Sequence, residues 1–156
     1  MKYREVSNDE DILDIRDVFE RIDELEDELS VIEDLKNEIE SLDLNEDKED
    51  IRIAKEELIK KEKELEDEAE ELEILKEFIS DFAGYGGDEE RDGEWYPVTL
   101  VRDSYWEEFC EQECKDLGYI KDDHPWWIEI DWSKTAENMK QDYTSGDFNG
   151  VTYWGL

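Results

Sequence analysis

Of the side chains that could serve as acids, bases, nucleophiles or metal ligands, this chain of 156 residues has one histidine, two cysteines and fifty-one carboxylates. The histidine, His124, precedes a proline in an expected loop, a poor setting for a general base. The carboxylates occur throughout, so no pair stands apart as the acid and base of a glycosidase. No glycine-rich phosphate loop is present: Gly84, Gly86 and Gly87 lack a following lysine and a strand-to-helix context. Cys110 and Cys114, four apart on an expected helix, project side by side and suit a disulfide poorly. They read as reduced, buried thiols. As half of a zinc site they would need two further ligands, and only one histidine exists. Asp122-Asp123 and the acids from Asp142 to Asp147 lack EF-hand spacing. No catalytic residue, metal or cofactor is expected.

Charge is the feature that needs a function. Fifty-one acids against eighteen bases leave a formal charge of −33, far above the magnitude of about 2–8 that keeps a small domain soluble. Such a chain repels nucleic acid and anionic lipid and attracts basic surfaces. The six tryptophans sit among acids, whereas base stacking comes with a basic groove. They are expected mostly in a core. No apolar run reaches the roughly 18 residues of a membrane span. The start, Met1-Lys2-Tyr3-Arg4-Glu5, has no apolar stretch behind it and does not resemble a secretory signal. A cytoplasmic protein is expected.

The elements that must carry this charge divide near residue 84. Residues 1–83 hold 33 acids and 12 bases, and all tryptophans follow residue 94. Ser7 with Glu10 fits a capping box at a helix start. Ile15, Val18, Ile22, Leu25, Leu29, Ile32 and Ile39 then recur at heptad spacing, with Leu35 and Leu42 beside them. Asp43-Leu44-Asn45-Glu46-Asp47 breaks the pattern. A second seam runs through Ile51, Ala54, Leu58, Leu65, Leu72, Leu75, Ile79 and Phe82. Two long amphipathic helices with a short polar break imply an antiparallel hairpin. Lys36, Lys61 and Glu68 interrupt the seams. Ile53, Ile59, Ile74 and Phe78 lie off the seam, either to cover the second domain or to form a homodimer interface.

Residues 84–94 read as a Gly-rich linker, and 95–156 as a small aromatic-rich α+β domain with an antiparallel sheet. There, residues 95–101 suggest a strand with Pro97 at its start or edge. A helix capped by Asp103 or Ser104 ends at Gly118. A second helix starts at Asp131 or Ser133, and Asn149-Gly150 marks a hairpin with a type I′ turn.

Trp95-Tyr96-Pro97-Val98-Thr99-Leu100-Val101-Arg102-Asp103-Ser104-Tyr105, Leu117-Gly118-Tyr119-Ile120, Ile130-Asp131-Trp132, Asp142-Tyr143-Thr144 and Gly150-Val151-Thr152-Tyr153-Trp154 together resemble small acidic proteins of phages and mobile elements. They also resemble the last module of ArdA-type antirestriction proteins, over about 60 residues. The resemblance implies a dimeric, elongated DNA mimic that occupies the DNA groove of a restriction–modification, CRISPR or other defence protein. The helical first half departs from the small α/β modules of that family. A mimic would bind its target through the acidic outer face of the hairpin: Asp17, Glu20, Asp23, Glu24, Asp27 and Asp34, with Glu56, Glu66, Glu70, Glu73 and Glu77. The competing expectation is a coiled-coil interaction or oligomerisation protein that binds a basic partner without mimicry.

Overall fold

A computed structural model of the protein describes residues 6–121 and 123–156. The expectation about a signal at Met1–Glu5, and that part of the EF-hand comparison that concerns Asp122, lie outside the described residues. Helices and an antiparallel sheet make this an α+β protein. In chain order the elements are β1 (Ile12–Asp14), α1 (Ile15–Ser41), α2 (Lys48–Glu64), α3 (Glu66–Ser80), β2 (Glu89–Arg91), β3 (Glu94–Tyr96), β4 (Thr99–Arg102), α4 (Trp106–Asp116), α5 (Trp132–Met139), β5 (Thr144–Phe148) and β6 (Val151–Gly155). They form two compact units: a mixed unit, containing the residues up to Val18 together with Glu77–Leu156, and a helical unit, Phe19–Lys76.

The helical unit follows the heptad pattern. Phe19, Ile22, Leu25, Leu35, Ile51, Ala54 and Leu75 are buried, and Leu29, Ile32, Ile39, Leu58 and Leu72 are half-buried. The loop at Asp43–Asp47 is tied by carboxylates. Asp43 accepts backbone N–H groups from Asn45 and Glu46, and Asp47 accepts that of Asp43 at 2.9 Å. The second expected helix is interrupted at Leu65, whose φ of −105° and ψ of 16° leave helical geometry. The interruption falls where Glu64, Glu66, Asp67 and Glu68 crowd like charges into one turn.

The mixed unit is built on a four-stranded antiparallel sheet in the order β1-β4-β6-β5. Register places Leu13, Leu100, Gly155, Tyr153, Gly146 and Phe148 on one face. There Phe78, from the end of α3, lies 4.8 Å from the ring of Phe148, 5.6 Å from Tyr153 and 5.4 Å from Phe82. The opposite face carries Val101 and Trp154. It is covered by α4 and α5, with Trp106, Cys110 and Ala136 buried against Val101. The Trp106 indole donates to the Ala136 carbonyl at 2.7 Å, so the largest buried ring leaves no orphan donor.

Three expectations are corrected here. Ser7 and Glu10 do not start a helix. Their segment turns into β1, and Asp14 takes the capping role, accepting the Arg16 N–H at 2.9 Å. The pairing of Ile12–Asp14 with β4 satisfies backbone groups that a longer helix would have used. Second, the region expected as linker forms the hairpin β2–β3. Asp92 and Gly93, at φ of 52° and 85°, make the turn that an Asp-Gly pair favours. Third, the strand expected over 95–101 is split into β3 and β4 around Pro97, which has no N–H to continue a ladder. Elsewhere Gly118 ends α4 at φ 76° and Asn149-Gly150 turns β5 into β6 with both φ positive, as expected.

Two outcomes test this packing. At Gly146 a Cβ would lie 2.6 Å from Cζ of Phe82, so Gly146→Ala should destabilise the protein by about 1–3 kcal/mol; chemical denaturation would show a lower midpoint. The buried Tyr153 hydroxyl donates to the Glu10 carbonyl at 2.5 Å, and burial pushes its pKa up to about 12. The folded state therefore holds this proton more tightly than the unfolded chain. The contribution is complete below about pH 10 and is lost as pH rises through about 12. Tyr153→Phe should cost about 1 kcal/mol at neutral pH and flatten the fall in melting temperature on the alkaline side.

Candidate functional site

Helical periodicity lines up the expected acidic residues. On α1, Asp17, Glu20, Glu24, Asp27 and Asp34 recur at steps of three, four and seven, with Asp23 adjacent. On α3, Glu66, Glu70, Glu73 and Glu77 recur at steps of four, three and four, one face of a helix. Glu20, Asp23, Asp27 and Asp34 are exposed, as are all four acids of α3, while Asp17 and Glu24 are half-buried. Asp17 and Glu77 belong to the mixed unit and the others to the helical unit.

The bases decide how much of this charge remains. α1 carries eleven acids and three bases, and α3 seven acids and one base. α2 carries six of each and is neutral. The charge of the helical unit is therefore concentrated on α1 and α3. Arg21 of α1 forms a two-pronged pair with Glu71 of α3, Nε to Oε1 at 2.8 Å and Nη2 to Oε2 at 2.7 Å, and also meets Glu24 at 3.1 Å. The Glu71 carboxylate holds the guanidinium pKa well above its ordinary value. Lys76 of α3 meets Glu26 of α1 at 3.0 Å, and Lys36 meets Glu62 at 3.9 Å. These cations join one helix to another, and Arg21 also engages Glu24 of the expected acidic face. Glu56 differs from the rest. It stands on the neutral α2 and pairs with Arg52 at 3.0 Å, so it is not continuous with the acidic stripes.

The residues expected to cover the second domain or to form a dimer interface differ in exposure. Phe78 is fully buried in the mixed unit and Ile74 is half-buried. Ile53 and Ile59 are exposed on α2, but six residues apart they point about 120° away from each other.

The tryptophans depart furthest from expectation. Only Trp106 is fully buried; Trp95 is 52% exposed, Trp126 90% and Trp127 66%. Trp154 is half-buried. Its indole donates to Asp103 at 2.9 Å, and Lys140 lies 5.0 Å above its ring and 3.3 Å from Asp103. The Trp154 hydrogen bond, with Lys140, holds the Asp103 carboxyl below the usual carboxylate range. Burial pushes the Cys110 thiol up to about 11, while Cys114 is half-buried with its sulfur 4.0 Å from that of Met139. His124 is exposed, its Nδ1 3.0 Å from the Lys121 carbonyl. Among the described residues no group of three or more His, Cys, Asp or Glu is placed to hold a metal ion, and no helix is long and apolar enough to cross a membrane.

Removing the central cation tests the helical unit. Arg21→Gln should lower stability by about 0.5–1 kcal/mol, since the pair is partly exposed. It should also make melting temperature rise more steeply with salt, because the repulsion of Glu24 and Glu71 that Arg21 offsets is then left to solvent ions. Equal salt responses of the two proteins in thermal melts would contradict this role.

No protein-family model matches the chain, and no curated protein or solved structure matches it either.

Proposed function

We propose that the protein is an acidic DNA mimic that inhibits a DNA-binding bacterial defence protein, of restriction–modification or CRISPR type, by occupying its DNA groove. In this reading the helical unit is an antiparallel hairpin, its residues from Phe19 to Ser41 spanning about 35 Å and its two arms, α1 and the α2–α3 run, together about 20 Å wide. The observation that carries the reading is the placement of charge. Acids outnumber bases eighteen to four on α1 and α3, and Arg21 and Lys76 are drawn into pairs between those helices. The helical unit as a whole has 25 acids and 9 bases. That is about one net negative charge per 2.2 Å, against one per 1.7 Å in duplex DNA. Binding would release counterions from a basic groove, as DNA does. The protein would act in the bacterial cytoplasm, as a phage or mobile-element product, consistent with the resemblance of its C-terminal segments to ArdA-type proteins.

One observation favours a second reading, a coiled-coil interaction protein that dimerises. The neutral α2 exposes Ile59 where self-association meets least repulsion.

The two readings separate experimentally. The protein should retain a DNA-binding protein from a bacterial lysate, release it in a salt gradient, and compete with duplex DNA for the purified target. Joint replacement of Glu66, Glu70 and Glu73 by Gln should weaken binding at least tenfold at low salt, and Glu56→Gln by less than about twofold. Binding that is unchanged between low and roughly half-molar salt would overturn mimicry.

A further inference from the structure

α4 ends in a turn that aims the next residues back along it. Gly118 takes φ 76°, and the N–H groups of Tyr119 and Ile120 both donate to the Cys114 carbonyl, at 3.0 and 3.2 Å. The chain returns at Asp131, which caps α5 by accepting the Lys134 N–H at 3.0 Å and so fixes Trp132. Between these two anchored points lies a cavity of about 380 Å³, within the size range of ligand pockets. Its apolar wall is Ile120, Ile128, Ile130 and Trp132, and its polar wall includes Glu111 and Glu129. Lys115, also lining it, is held by Glu111 at 3.1 Å. Glu129 is exposed and has no cationic partner among the described residues. In the same segment of chain, Trp126 and Trp127 are 90% and 66% exposed. Exposed aromatic rings are characteristic of contact surfaces.

We propose that this cavity takes an arginine side chain of a basic protein partner. An arginine has the matching parts: an alkyl stem for the isoleucine wall, a planar guanidinium that stacks on indole, and a fork that a carboxylate such as Glu129 accepts bidentately. Of the charged and polar lining residues, Glu111 is paired with Lys115 and His124 is exposed, which leaves the exposed Glu129 carboxylate to receive a guanidinium. A second copy of this chain is disfavoured as occupant, since each copy carries −33. The inference rests on the proposed basic partner for its biological setting. It adds a contact in the mixed unit, distinct from the acidic helices.

The probe is the peptide acetyl-Gly-Arg-Gly-amide, titrated into the full chain at physiological salt and followed by two-dimensional NMR. Saturable shifts of the Trp126, Trp127 and Trp132 indole N–H signals and of the Ile128–Ile130 amides are expected, weakened at least fivefold in Glu129→Gln. The citrulline peptide, neutral but of the same shape, should bind at least fivefold more weakly. Shifts spread along α1 and α3 with no saturation at the cavity would overturn the inference, as would equal binding of the citrulline peptide or an unaltered response in a folded Glu129→Gln protein. None of these readouts involves competition with DNA, so the two readings can fail independently.

Discussion

Helices with eleven and seven carboxylates are bridged through Arg21, and the character of the helical unit depends on that contact. Like charges at one-turn spacing each work against a helix by a few tenths of a kcal/mol, and α1 and α3 contain many such pairs. What opposes them is an apolar seam of Ile22, Leu25 and Leu75 and a guanidinium whose fork engages Glu71 while its third nitrogen meets Glu24. Arginine suits this position because its planar donors reach carboxylates on both helices at once. Arg21, Lys36 and Lys76 each pair with a carboxylate of another helix, and on α1 and α3 the acids still outnumber the bases. An arrangement selected for stability alone would scatter bases over the outer faces, as α2 does with its six.

The mixed unit solves a different problem with different means. Its sheet is short, and both faces are covered: one by aromatic rings from the end of α3, the other by α4 and α5. Small residues set the spacing. Gly146 lets β5 approach Phe82, and Gly155 sits where a side chain would strike Pro97 and Leu100. With Tyr153 and Trp106 each using its polar atom on a backbone carbonyl, the unit buries large rings without unmet donors. The rings left over include Trp126 and Trp127, exposed in the segment that joins α4 to α5.

Much of this was legible in the residues. The heptad steps located the helices, Asp43–Asp47 the break between the first two, and Gly118 and Asn149-Gly150 the later turns, because each signal is local. β1 was not legible. Ile12-Leu13-Asp14 is too short for alternation to register, and its partner strand is more than eighty residues away. The Asp92-Gly93 turn was present but masked by neighbouring glycines that suggested a linker. Burial of the tryptophans depends on which sheet face each meets, which composition does not reveal. The neutrality of α2 was open to inspection, but it appears only when charge is tallied helix by helix rather than by half-chain. Of the candidate site, the stripes on α1 and α3 follow from spacing alone. The capture of Glu56 by Arg52 needed coordinates to establish.

The pairing of β1 with β4 makes the helical unit an insertion in the sequence of the mixed unit. A ribosome would release Phe19–Lys76 while β1 still lacked its neighbour, so the helices can assemble first and the sheet must wait for the chain's last third. Once formed, the sheet pins both ends of the inserted segment. Lengthening such an insert carries a closure cost that grows only logarithmically. Whole heptads could thus be added or deleted within the insert while every strand keeps its partner. The topology thus lets the length of the inserted segment change in steps of about 10 Å along a helix while the strand pairing of the sheet stays as it is.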